Sequence, residues 1–129
     1  MKTTSRFLND LYVIKDIREE AACNRFLIQI ELNSSHAIFH GHFPGNPLLP
    51  GVCTVQIIKE LLSGQLKRNL NLKKAGTIKF LSFINPEMNR LISIELQVNE
   101  GVKGQLTCNA TVFHEATVFC SFKGEWAEE

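Results

Sequence analysis

Apolar and polar residues alternate along much of this chain, and the alternation is interrupted near its middle by one stretch of longer period. In ACNRFLIQIEL (22–32), Phe26, Ile28, Ile30 and Leu32 alternate with Arg25, Leu27, Gln29 and Glu31, the period-two pattern of a strand with one covered face. LNDLYVIK (8–15) is a second extended stretch, separated from the first by the charged KDIREE, which reads as a turn. From Val52 to Leu66 the period becomes helical: Val52, Val55, Ile58, Leu62 and Leu66 recur three or four places apart. Cys53, Gln56 and Glu60 share a second face, while Ile57 and Leu61 widen the apolar surface, as in a central helix covered over much of its circumference. Alternation returns after Gly76 in TIKFLSFI (77–84), RLISIELQVN (90–99) and QLTCNATVFHEATVFCSFKGEW (105–126). The last divides near His114-Glu115 into two strands or runs as one bent strand, and Asn85-Pro86-Glu87 and Asn99-Glu100-Gly101 are turn sequences. An antiparallel sheet laid against or wrapped round one helix, an α+β architecture, accommodates this order of elements.

Composition narrows the class. The 129 residues suit one domain, 1–129, and 44% hydrophobic with 21% charged residues describe a folded globular chain. No apolar run is long enough to span a bilayer, and Asp10 interrupts the N-terminus where a secretory signal needs a continuous apolar core, so a cytoplasmic location is the expectation. A net charge of +1 gives no reason to expect nucleic acid as a partner. Lys67, Arg68, Lys73 and Lys74 are a local exception, read as a solvated helix end or as a face for an acidic carrier. Cys23, Cys53, Cys108 and Cys120 are too widely spaced for a zinc pattern and are expected as buried, reduced thiols; no metal is expected.

The segment between the second strand and the helix is unlike the rest. HGHFPGNPLLPG (40–51) holds two of the four histidines and three of the four prolines. Pro44, Pro47 and Pro50 stiffen the backbone while Gly41, Gly45 and Gly51 permit turns or close approach by a ligand, a support suited to holding a histidine. His36 and His114 carry no such context and read as structural or solvated, and His40 as support for the loop. Phe39, Phe43, Phe80 and Phe83 are candidates for either a pocket wall or ordinary core.

His42-Phe43-Pro44-Gly45, followed by Pro47, two leucines and Pro50-Gly51, resembles the beta-hydroxyacyl-acyl carrier protein dehydratases of fatty-acid synthesis, and a weaker likeness continues through the helix to Lys79–Pro86. The resemblance implies a hotdog fold, normally a homodimer or higher homo-oligomer, with two active sites at the subunit interface. It also implies that the histidine of HFPG from one subunit works with an acidic residue on its partner's central helix. The histidine maps onto His42. The acidic position maps onto Gln56, and the family's usual glutamine near the next turn is here Glu60, as if the two residue types had been exchanged.

Dehydration of a 3-hydroxyacyl thioester to a trans-2-enoyl thioester needs a base for the C2 proton and an acid for the departing C3 hydroxyl. His42 is suited to the first task. The Gly51 or Val52 N–H, at the helix start, is suited to polarising the thioester carbonyl, with Phe43, Pro44 and Gly45 lining the loop beside it. Gln56 donates hydrogen bonds but is no ordinary acid. Three readings follow: a dehydratase with Glu60 as acid and Gln56 contacting the C3 hydroxyl; an acyl thioesterase in which Gln56 and His42 position water; and an acyl-thioester binding protein with reduced or no catalysis. In the first, the acid lies about 6 Å further along the helix axis than in the family, which calls for altered substrate placement. None needs a cofactor, since the phosphopantetheine arm belongs to the acyl carrier protein or coenzyme A substrate.

Overall fold

The computed structural model describes residues 10–41, 45 and 47–128. Six strands form one antiparallel sheet: β1 (Tyr12–Glu20), β2 (Arg25–Leu32), β3 (Leu70–Phe80), β4 (Leu91–Glu100), β5 (Gln105–His114) and β6 (Thr117–Glu128). Their order across the sheet is β1-β2-β4-β5-β6-β3, so β1 and β3 are its two edges. A short helix, α1 (Ile38–Gly41), precedes the proline-rich loop, and the long helix α2 (Gly51–Leu66) follows it. Ile57, Ile58, Leu61 and Leu62 of α2 join Ile28, Ile30, Ile92, Ile94 and Leu96 from the central strands in one core. An antiparallel sheet around a long helix, as the resemblance implies, is the arrangement found.

The alternating strands behave as their pattern requires. Phe26, Ile28, Ile30 and Leu32 of β2, and Ile92, Ile94, Leu96 and Val98 of β4, are all buried. His114 and Glu115 mark a hairpin, with Glu115 at φ 53°, so the last stretch is two strands. At Asn85-Pro86-Glu87 the Asn85 Oδ1 accepts the Glu87 N–H at 2.9 Å, a local side-chain bond that closes the turn.

Five expectations change. KDIREE is no turn: β1 runs through it to Glu20, and the reversal falls on a single 3-10 turn at Ala21–Cys23. A register shift between Ile14 and Asp16 explains the misreading, because Ile14 pairs with Ile30 but Ile17 pairs with Ile28. The inserted residue breaks the period of two. β3 likewise begins at Leu70 and ends at Phe80, where the alternation had suggested 77–84. Two shifts, after Leu72 and after Ala75, space its paired positions so that Leu72 meets Trp126, Ala75 meets Gly124 and Ile78 meets Phe122. Intervals of three residues conceal a strand that has two bulges. The basic residues are correspondingly not one helix end: Lys67 caps α2 in the left-handed region at φ 56°, whereas Lys73 and Lys74 belong to β3. On α2 the buried face is Cys53, Thr54, Ile57, Ile58, Leu61 and Leu62, and Val52 is 73% exposed. Cys23 is exposed, unlike the other three cysteines.

Candidate functional site

The proline-rich loop is tied down where it reaches α2. Leu49 donates its N–H to the Ile84 carbonyl at 2.9 Å, and both side chains are buried. They flank an apolar cavity of about 10 Å³ behind Thr54 and Ile57, room for about one water. Gly45 is exposed at φ 78°, a backbone conformation that L side chains rarely adopt. His42, Phe43 and Pro44, expected as the base and its neighbours, lie outside the described residues.

α2 opens without a side-chain cap. Pro50 sits at the N-cap position in extended conformation, and its carbonyl accepts the Cys53 and Thr54 N–H groups. The N–H groups of Gly51 and Val52 precede the first intrahelical bonds and point out of the helix end. Phe80, at the end of β3 and 54% exposed, lays its ring over Gly51: a Cβ there would come within 2.8 Å of the ring. Gly51 is therefore a close-approach glycine. Among the phenylalanine candidates, Phe39 is core, whereas Phe80 and Phe83 are exposed.

Gln56 and Glu60 are brought together. One turn apart on the flank of α2, both are half-buried, and Gln56 Nε2 donates to Glu60 Oε2 at 3.3 Å. The sequence reading missed a third member of this group. Tyr12, on edge strand β1, donates its hydroxyl to Glu60 Oε1 at 2.8 Å. Burial first, then the hydrogen bond and the charge of Glu60, push the Tyr12 phenol well above its ordinary value. The phenol stays neutral and acts as a donor. Nothing in the local sequence signals this pairing across 48 positions; the clue available was that Tyr12 is the only tyrosine in the chain. Cys53 and Cys108 are buried thiols raised in pKa by desolvation, unsuited to nucleophilic work.

Comparison with known proteins gives this geometry a family. The ApeI-like family, described as ApeI dehydratase, matches residues 18–123. A 3-hydroxyacyl-[acyl-carrier-protein] dehydratase FabZ of Caulobacter sp. (strain K31) is 28% identical over 76 residues, covering 57% of this chain and 47% of that protein. The chain thus matches about half the length of that curated relative. Among solved structures, the dehydratase heterocomplex ApeI:P from Xenorhabdus doucetiae superposes with a TM-score of 0.71 at 21% identity, over 99% of this chain and 100% of that one. A hypothetical thioesterase from Streptococcus pneumoniae TIGR4, solved with coenzyme A, gives 0.63 at 10% identity, over 92% and 85%. An (R)-hydratase from A. caviae gives 0.60 at 9%, over 81% and 94%. At these identities the structures speak for the fold, and the fold they share with this chain is the hotdog. With the family match extending over most of its length, the chain belongs to the ApeI-like, FabZ-related family of hotdog dehydratases.

Proposed function

We propose that this protein removes water from 3-hydroxyacyl thioesters to give trans-2-enoyl thioesters. The observation that carries the reading is the half-buried Gln56–Glu60 pair on α2, which keeps a carboxyl group on the helix although the family's acidic position holds glutamine. In this reading His42 takes the C2 proton. The Gly51 or Val52 N–H donates a hydrogen bond to the thioester carbonyl oxygen as negative charge develops on it. Glu60, protonated for this step, gives its proton to the departing hydroxyl so that water leaves, and Gln56 hydrogen-bonds the C3 oxygen. Return of the proton from His42 to Glu60 resets the pair. The substrate is placed about one helical turn deeper than in relatives with an acid at the earlier position. The elimination is redox-neutral, so no cofactor of the protein's own enters, and the phosphopantetheine arm arrives with an acyl carrier protein or coenzyme A.

A second subunit belongs to this reading. The cavity behind Thr54, at about 10 Å³, is far smaller than an acyl chain. Val52, Phe80, Leu81 and Phe83 are exposed near the start of α2, beside the outer edge of β3. A homodimer formed there would cover these side chains and enclose an apolar channel ending at the helix. No helix of the described residues is long and apolar enough to cross a membrane, which is compatible with work on carrier-bound substrates in the cytoplasm.

The test is mass-spectrometric turnover of 3-hydroxyacyl and trans-2-enoyl thioesters, followed in both directions with simultaneous measurement of free acid. Interconversion by one water, lost in a folded His42→Ala variant, is the expected result. Free acid alone would replace the proposal with thioester hydrolysis, and binding without turnover would replace it with a carrier-binding role.

A further inference from the structure

The group on α2 does not stop at the helix. Glu60 accepts from two donors on different elements: Gln56 Nε2 from its own helix and the Tyr12 hydroxyl from β1, one contact on each carboxylate oxygen. Two donors at two oxygens restrict rotation of the carboxyl plane, which a single contact would leave loose. A carboxyl oxygen that carries no proton only accepts, so Gln56 turns its nitrogen towards Glu60 Oε2, and the orientation of the Gln56 amide depends on where Glu60 is held. Tyr12 itself is fixed. It is paired with Leu32 of β2 in the sheet register, and its ring packs against the core. The register shift that follows at Lys15 begins only after Ile14, so Tyr12 lies on the regular part of the strand, facing the helix.

We propose that Tyr12 is a positioning residue for the thioester site, fixing the Glu60 carboxyl group and, through it, the Gln56 amide, so that an exchanged acid and amide on α2 still present a defined arrangement to the C3 hydroxyl. This rests on the dehydratase reading above and deepens it. The phenol does not touch substrate. It ties the site to the sheet's β1 edge, opposite to the β3 edge on which Phe80 approaches Gly51. A helix carried between these two edges has its functional flank referenced to the first of them.

Tyr12→Phe keeps the ring and removes the hydroxyl, so the core contact is retained while Glu60 loses one donor. For the hydrogen bond to a charged group, a loss of about 10- to 100-fold in kcat is expected with KM little changed. The decisive comparison is a double-mutant cycle with Glu60→Gln. If Tyr12 acts through Glu60, adding Tyr12→Phe to Glu60→Gln changes kcat no further, whereas a general packing effect multiplies. Urea unfolding, followed by fluorescence of the single tryptophan, Trp126, accompanies each variant to show that the fold stands. Wild-type turnover with an unchanged Tyr12→Phe kcat, or fully multiplicative losses in the double variant, overturns the positioning role while leaving the dehydratase reading intact. A wild-type protein inert towards every hydroxyacyl and enoyl thioester overturns both, and is told apart by the absence of any rate to compare.

Discussion

Replacing Gly124 by alanine sets two opposing effects against each other. Alanine restricts the unfolded chain more than glycine does, which by itself stabilises a strand position by about 0.5–1 kcal/mol. Gly124, however, lies on β6 between Phe122 and Trp126, whose rings approach with centroids 6.0 Å apart at 46°. A Cβ at Gly124 would lie 2.8 and 2.9 Å from Phe122 ring carbons and 2.9 Å from Leu72 Cδ1. Carbon atoms settle at about 3.5–4.0 Å. Leu72 is at an edge and can move, but Phe122 and Trp126 are 2% and 1% exposed, so relief at one ring displaces the other. Overpacking of this kind costs about 1–3 kcal/mol, more than the entropic gain. The net expectation is a loss of about 0.5–2 kcal/mol, or a fall in Tm of roughly 2–8 °C for a domain of this size. Urea titration of Gly124→Ala, read by Trp126 fluorescence and by circular dichroism together, measures it through the midpoint, with the slope unchanged. A midpoint equal to or above that of the wild type would refute the reasoning.

Gly64 is the converse case: it is exposed within α2 and an added Cβ meets nothing within 4 Å, so Gly64→Ala should raise stability by about 0.8–1 kcal/mol, and a drop in the urea midpoint would contradict that. Glu60→Gln should lower dehydration by roughly 10²–10⁴-fold if its carboxyl group is the acid, and an undiminished kcat in steady-state assays would remove it from that role. If the protein forms the proposed dimer, Phe83→Asp, at a side chain 73% exposed, should shift it towards monomer in sedimentation equilibrium without lowering the monomer's helicity. A dimer unaltered by the substitution would move the interface elsewhere, and a monomeric wild type would remove the proposed dimer. With burial pushing Cys108 up to about 12 and Cys120 up to about 11, and Cys53 buried as well, a thiol reagent at mild pH should find Cys23 alone in the native protein and all four thiols after unfolding. Tyr12 gives an alkaline prediction: its folded pKa is raised above the ordinary 10.0, so its contribution is fully present below that pH and declines above it, because only the unfolded chain ionises. Cys108 and Cys120 act in the same direction from their ordinary 9.0, so the test is the difference between wild type and Tyr12→Phe, whose alkaline decline should be shallower; identical declines would count against the Tyr12 contact.

Where residues alternate without interruption, the chain's pattern and its structure agree, because a strand covered on one face must place every second side chain in the core. β2 and β4 were legible for that reason and the helix from its longer period, whereas 105–126 could be read as two strands or one bent strand, and only the pairing of β5 with β6 makes it a hairpin at His114-Glu115. The edge strands were not legible. Each contains inserted residues that reset the alternation, at Lys15 in β1 and twice in β3, and an edge strand lacks the second neighbour that would enforce a strict period. The helix could be placed but its facing could not, since Val52 and Cys53 both fit an apolar stripe and only packing distinguishes them. For the candidate site, the pairing of Gln56 with Glu60 follows from helical spacing alone. Tyr12 was hidden because its approach depends on how the sheet curls, which no local stretch encodes.

The position of β3 in the sheet has a consequence for how the protein is made. Among the described strands β3 is bonded only to β6, the last of them in sequence order. As synthesis proceeds, the segment Leu70–Phe80 emerges before residue 117, where its partner begins, and at about 5–20 residues per second it waits for several seconds. During that interval both of its edges are open, and Ile78 and Phe80 are available to any other extended segment. The two bulges and the charges at Lys73, Lys74 and Lys79 are features that discourage such mispairing. Irregularities that obscure this strand in the sequence can thus also protect the nascent chain until the partner strand β6 arrives.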